Sequence, residues 1–313
     1  MKGDDKLKIF QEIEKEWLIY KSLNVKRSTL VKYENLLNHH ILPVFSNRCI
    51  NEIDDTLVSQ FLYDKKQTLS LSVIKTCYYL LQAILEYGSR KYNISLKYYK
   101  VILPNEKKSV KTLTKVQQKT LEEIAINSSK EIAPAIFLGL YAGLRIGEIC
   151  ALRWQDIDLK RKTIIVCRTV QRIKSCDKKK TELLIGDTKT QSSHRMIPIC
   201  KDLFEYLKGL RPNKIDNRYV LNNKDQIIDP KKIQNQLKRL LKQCYLDNHI
   251  HFHMLRHTFA TNCVEKGMDI KSLSEILGHS NVNITLNTYV HSSFQFKLDQ
   301  MNKINHFLVD VVE

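Results

Sequence analysis

The sequence predicts a mainly α protein with a small antiparallel β-sheet, an α+β chain in two parts joined by a short basic linker. Apolar residues recur at helical spacing through the first hundred residues, and β-branched runs are confined to a stretch between about 160 and 200. Between them, "KVILPNEKKSVKT" (100–112) replaces the apolar period with a proline and several lysines. This sets a helical domain at 1–103, a linker at 104–112 and a second domain at 113–313.

In the first part, Ile9, Phe10, Ile13, Trp17 and Ile19 or Tyr20 mark one helix. Ser28 and Thr29 supply a cap for a second, which runs through Leu30, Tyr33, Leu36 and Leu37 to a break at Pro43. A third follows Asp54 and Asp55, and a fourth carries Val73, Ile74, Cys77, Leu80, Leu81, Ile84 and Leu85. The second part opens with helices near 114–126 and 131–142, turns to "KTIIVCRTV" (162–170) and "HRMIPI" (194–199), and then returns to helix. The polar, lysine-rich text between the β-runs reads as hairpin turns and loops. Beyond Tyr289, Phe294, Leu298, Met301, Ile304, Phe307 or Leu308 and Val311 keep helical spacing, as a tail folded on its own core or docked on another copy would.

The chain of 313 residues carries 51 Lys+Arg against 33 Asp+Glu, a net charge of +18. Such a surplus suits a polyanion, nucleic acid first, although a basic surface also aids solubility. The eight cysteines form no CxxC pair and read as reduced, mostly buried thiols. With no signal-like N-terminus and no run of about 18 apolar residues, the expected location is the cytoplasm, with no membrane partner.

"HFHMLRHTFAT" (251–261) crowds histidines around an arginine. A zinc site would need three or four ligands at typical spacings, and no HExxH or paired CxxC accompanies them, so no metal is expected. His253 and Arg256 stand three apart, on one face of a helix, where imidazole can move a proton and guanidinium can hold two phosphate oxygens. A capped helix with a chance HxxR fits this short pattern equally. Upstream, "LYAGLRIGEICALRW" (140–154) sets Arg145 in an apolar helical stretch with Glu148 one turn on. An arginine in such text needs a carboxylate or an anion. Lys189 lies in "DTKTQSSHRMIPI", and "LGHSNVNITLNTYVH" (277–291) supplies His279 and Tyr289.

In order and spacing, "AGLRIGE", the lysine of "TKT" ahead of "SSHRMIPI", "HMLRHTFAT" and "LGHSNVNITLNTYVH" closely resemble the tyrosine recombinase (phage integrase) family. The resemblance covers about 112–292 strongly and extends more weakly to the N-terminal helices, which resemble the family's SAM-like core-binding domain. It implies a catalytic second domain in which Tyr289 attacks a DNA phosphodiester and forms a 3′-phosphotyrosyl link. Arg145 and Arg256 would clamp the non-bridging oxygens, Lys189 would protonate the departing 5′-oxygen, and His253 would act as acid, base or orienting group. His279 would hydrogen-bond the phosphate and Glu148 would support its neighbours. Lys174, Lys178, Lys179 and Lys180 compete with Lys189 for its role. His251 and His257 read as structural, the latter as a buttress of the pocket. No cofactor, metal or nucleotide is implied.

The implied function is site-specific recombination of double-stranded DNA through a Holliday junction, by a homotetramer on two duplexes, with an accessory directionality protein as a further partner. The rivals are a type IB topoisomerase, which nicks and reseals one duplex, and a non-catalytic DNA-binding relic of the fold. With about ten residues ahead of the first helix, a short form without an arm-binding domain is expected, as in a mobile-element integrase or an Xer-like resolvase.

Overall fold

The computed structural model describes residues 8–96, 101–104, 110–128, 131–174, 181–187, 194–213, 217–222, 224–247, 249–289, 298 and 301–302. The chain divides into two compact units, Met1–Lys107 and Lys108–Glu313.

The first unit is helical: α1 (Phe10–Ser22), α2 (Arg27–Leu36), a short α3 (Leu42–Phe45), α4 (Asp55–Lys66) and α5 (Leu71–Tyr92). Phe10, Ile13 and Trp17 turn inward from α1 onto Leu81, Ile84 and Leu85 of α5 in a single cluster. Ile19 and Tyr20, assigned to the same stripe, are exposed, because the inward face has rotated past them; Tyr20 stacks instead on Tyr87, ring to ring at 5.7 Å. The expected cap at Ser28 and Thr29 is displaced. The helix begins earlier, at Arg27, and Lys26 precedes it with no side-chain cap. Nor does Pro43 end the second helix. A π-helical turn at Leu37–Ile41 leads into α3, where Pro43 sits in the first turn and its missing N–H costs nothing. Asp54 caps α4 by accepting the Leu57 N–H at 2.9 Å.

The second unit holds α6 (Lys115–Ile126), α7 (Ile132–Ala142) and α8 (Ile146–Ala151), then β1 (Ile157–Asp158), β2 (Thr163–Val166), β3 (Arg168–Lys174), β4 (Thr181–Asp187) and β5 (Arg195–Pro198). It continues with α9 (Lys201–Leu210), α10 (Pro230–Gln243), α11 (Phe252–Glu265), α12 (Ile270–Leu277) and α13 (Val282–Tyr289). Strands β1, β2 and β5 form one antiparallel sheet in that order, and β3 and β4 a separate antiparallel pair. The polar text expected to be turns and loops thus contributes most of this second pair: Thr169 to Lys174 face Gly186 to Thr181 in register. The pairing makes strands of residues whose alternation is weak.

Helix α7 is apolar on nearly every face and buried from Ile132 to Leu140, as expected of a helix at the centre of a core. Leu255 of α11 packs against its Gly139. Of the described cysteines, all free, Cys77 and Cys150 are buried, while Cys200 is exposed and the rest are partly covered, so the thiols are less buried than expected. Among the described residues, no helix is long and apolar enough to cross a membrane.

A buried hydroxyl ties the start of this unit to α11. Thr258 Oγ1 donates to Met254 O and accepts the Leu113 N–H, both at 2.9 Å. Thr258→Val keeps the shape and orphans that N–H, so a loss of about 1–3 kcal/mol is expected in urea unfolding. A loss within error would mean that the N–H finds another partner.

Candidate functional site

The site begins where α7 stops. Gly143 takes a left-handed conformation (φ +62°), and a Cβ there would lie 2.5 Å from the Phe259 ring. The chain then extends through Arg145 (φ −74°, ψ 150°), and α8 starts at Ile146. Arg145 is therefore at a helix junction rather than inside the helical stretch the sequence suggested. The Glu148 carboxylate reaches back one turn, accepting the Arg145 backbone N–H at 2.9 Å and its Nη1–H at 2.9 Å.

The other side of Glu148 is held by a residue the sequence reading did not select. Arg195 opens β5 opposite Val166, and its Nη2 and Nη1 donate to Oε2 and Oε1 of Glu148 at 2.9 and 3.1 Å. Its Nε donates to Ile276 O at 2.6 Å, tying the strand to the end of α12. The signal was present in strand alternation: Arg195, Ile197 and Ile199 are buried, while Met196 and Pro198 are exposed. Burial works to raise the Glu148 pKa, but the hydrogen bonds and charge of Arg195, with the charge of Arg145, hold it below the ordinary carboxylate value.

Arg256, on α11, is 1% exposed. Its Nη1 donates to Gly143 O and its Nη2 to Leu277 O, both at 2.7 Å, so two helix C-termini grip one guanidinium. Burial, reinforced by Arg145, brings its pKa down to about 9, which leaves it cationic at neutral pH. The same Nη2 lies 3.0 Å from His279 Nε2. Since a guanidinium can only donate, that ring nitrogen accepts, and the proton of the neutral ring sits on Nδ1, 2.8 Å from Thr285 Oγ1. Burial and the surrounding charges of Arg256, Arg145 and Arg195 push the His279 pKa to about 4, in keeping with this neutral form.

Tyr289 ends α13 and is buried, with its hydroxyl 2.6 Å from His257 Nδ1. Burial raises its pKa against the opposing pull of Arg256 and Arg145. His253, exposed in the first turn of α11, lies edge-on to His257 with ring centroids 4.4 Å apart. The loss of water where its ring meets its neighbours, then the charge of Arg256, His251 and Arg145, lowers the His253 pKa. Arg145, Glu148, Arg256 and His279 thus share one hydrogen-bonded cluster, with His253, His257 and Tyr289 at its side. Lys189 lies outside the described residues.

A groove of about 940 Å³ is lined by Arg145 and His253 and also by Arg172, Lys231, Gln234 and Lys238. Among the described residues, no group of three or more His, Cys, Asp or Glu is placed to hold a metal ion.

Guanidiniums gather around one buried carboxylate, with imidazoles and a tyrosine hydroxyl beside them, on a mainly helical α+β scaffold. The chain belongs to the phage integrase family: residues 111–295 match the family itself, and residues 9–72 match the phage integrase N-terminal SAM-like domain. It is similar to a tyrosine recombinase XerC-like protein of Caldanaerobacter subterraneus subsp. tengcongensis, 31% identical over 194 residues, which are 56% of this chain and 49% of that protein. The integrase of Staphylococcus phage L54a is 23% identical over 319 residues, 90% of this chain and 88% of the phage protein. Apart from that integrase, the chain spans about half the length of the curated relatives it matches. In fold it resembles the Tn1549 transposon integrase in complex with transposon right end DNA, with a TM-score of 0.78, 22% identity, and coverage of 95% of this chain and 100% of that one. It also resembles a lambda integrase tetramer bound to a Holliday junction, with a TM-score of 0.67, 14% identity, and coverage of 93% and 81%.

Removing Arg195 leaves Glu148 with one guanidinium in place of two. Arg195→Met is expected to cost about 3 kcal/mol in urea unfolding, because a buried carboxylate loses its bidentate partner. The pH dependence has a defined sign. With the folded Glu148 pKa depressed, the pair stabilises fully above the unfolded value of about 4.3, and this is lost as pH falls through the lower folded value. Glu148→Gln should flatten the acid limb of stability in that window; an unchanged limb would contradict the pairing.

Proposed function

We propose that the protein is a site-specific DNA recombinase or integrase that cleaves and rejoins DNA through a 3′-phosphotyrosyl intermediate and a Holliday junction, without metal or ATP. The observation that carries this reading is that Tyr289 meets His257 of α11 at 2.6 Å, while the preceding Arg256 is hydrogen-bonded to His279 and to the carbonyl of Gly143, two residues before Arg145.

Arg145, with 37% of its side chain exposed, is the accessible end of the clamp, and Arg256 is its fixed end. Together they would hold the two non-bridging oxygens, where negative charge grows as phosphorus becomes five-coordinate. His279 Nε2 would exchange the Arg256 contact for a phosphate oxygen, taking up a proton to donate. Glu148 and Arg195 keep Arg145 in place. Lys189 would supply the proton to the departing 5′-oxygen. The phosphotyrosyl bond conserves the energy of the broken phosphodiester, so resealing needs no nucleotide.

The groove beside Arg145 supports duplex DNA as the substrate. Lys231 and Lys238 suit phosphates, and Gln234 and Asn235 carry amides able to pair with base edges. DNA-bound relatives of the same fold agree with this. A homotetramer on two duplexes, an accessory directionality protein and a mobile-element setting complete the proposal.

The test is a nicked suicide duplex carrying the ends of the element, incubated in EDTA and run on denaturing gels. Wild type is expected to form a protein–DNA adduct and Tyr289→Phe none, with binding that weakens steeply as salt rises. Tight, salt-sensitive binding without an adduct would favour a DNA-binding relic and overturn the catalytic reading.

A further inference from the structure

We propose that His257 is the group that takes the proton from Tyr289 during DNA cleavage and returns it on resealing, a role that rests on the recombinase reading above. The two side chains come from different elements, His257 from the second turn of α11 and Tyr289 from the end of α13, and they meet at 2.6 Å between Nδ1 and the hydroxyl. That is within the reach required of a general base. His253, the histidine of the HxxR pattern, touches the His257 ring at 4.4 Å between centroids, and it is His257 Nδ1 that meets the tyrosine hydroxyl.

The chemistry balances without a further reactant. As the Tyr289 oxygen bonds to phosphorus, its O–H proton moves to Nδ1 of His257. The bond from phosphorus to the 5′-oxygen breaks, and that oxygen takes its proton from the leaving-group acid. On resealing, the 5′-hydroxyl gives its proton back to the leaving-group acid, now in its basic form, as its oxygen bonds to phosphorus; the bond from phosphorus to the tyrosine oxygen breaks, and the imidazolium returns its proton to that oxygen.

For this, the imidazole must begin neutral with Nδ1 unprotonated. Burial, then the positive charge of His253, Arg256 and His251, brings its pKa down to about 4, so it is neutral across the physiological range. The groups facing it are those three and Tyr289 of α13. The imidazolium formed during cleavage lies beside a phosphate whose charge offsets it. A merely structural histidine would need only the contact. A proton acceptor needs the basic nitrogen.

The experiment uses the full chain with nicked duplex and measures single-turnover adduct formation from pH 6 to 8, below the range in which Arg256 loses its charge. In His257→Asn the amide can keep a hydrogen bond to the tyrosine but cannot take its proton. DNA binding should stay within twofold of wild type. Adduct formation at pH 7 should fall on the order of 100-fold. The variant's rate should then climb about tenfold per pH unit as the phenol ionises unaided, while wild type stays nearly flat. Added imidazole should partly restore His257→Ala. A substrate with sulfur in place of the bridging 5′-oxygen, whose leaving group needs no proton, should not restore His257→Asn. The proposal is overturned if His257→Asn cleaves within threefold of wild type, if its loss is the same at every pH, or if the sulfur substrate rescues it. An adduct from wild type with any of these results overturns His257 alone, whereas no adduct from wild type overturns the recombinase reading as well.

Discussion

The Glu148 carboxylate, buried between Arg145 and Arg195, is the contact on which the rest of the site depends. It is the negative charge in a pocket that also contains Arg256, so the cluster carries more cation than anion. Burying that surplus is costly unless dipoles and hydrogen bonds replace water. The chain supplies them from helix ends. Helices α7 and α12 both finish on a left-handed glycine, Gly143 and Gly278, and their terminal carbonyls face Arg256 and Arg145. Each carbonyl that would otherwise lack a helical partner gains a charged donor. Gly278 has a second reason to be glycine, since a Cβ there would press to 3.0 Å on the Arg195 side chain.

This construction divides the labour between permanent and adjustable groups. The guanidiniums are fixed by carboxylate and carbonyls. The imidazoles around them are neutral because those same charges, added to burial, oppose their protonation. A phosphate entering the pocket would offset part of that surplus and make protonation easier, so proton uptake and anion binding would be coupled by Coulomb's law rather than by a moving part.

Much of this was legible in the sequence, for identifiable reasons. Arg145, Glu148, Arg256, His279 and Tyr289 stand in short, strongly patterned stretches, and the structure brings them together although they are far apart in the chain. Arg195 was hidden because a lone arginine at the head of a four-residue strand declares itself only through alternation, and that strand is too short for the alternation to stand out. His257 was visible, but its contact with Tyr289 depends on how α13 packs on α11, which no local pattern encodes. The N-terminal unit misled at its caps and at Pro43 because serine, threonine and proline mark several local outcomes. Tertiary packing, through the π-helical turn and the Phe45–Phe61 contact, chose among them.

In the proposed reaction Tyr289, beside this surplus of fixed positive charge, is the residue that bonds to DNA. The most direct measurement is mass spectrometry of the peptide left after nuclease and protease digestion of the covalent complex. A nucleotide 3′-phosphate is expected on the peptide containing Tyr289, at that tyrosine, in the presence of EDTA. Attachment at any other of the 14 tyrosines, or strand cleavage with no nucleotide attached to the protein, would contradict it.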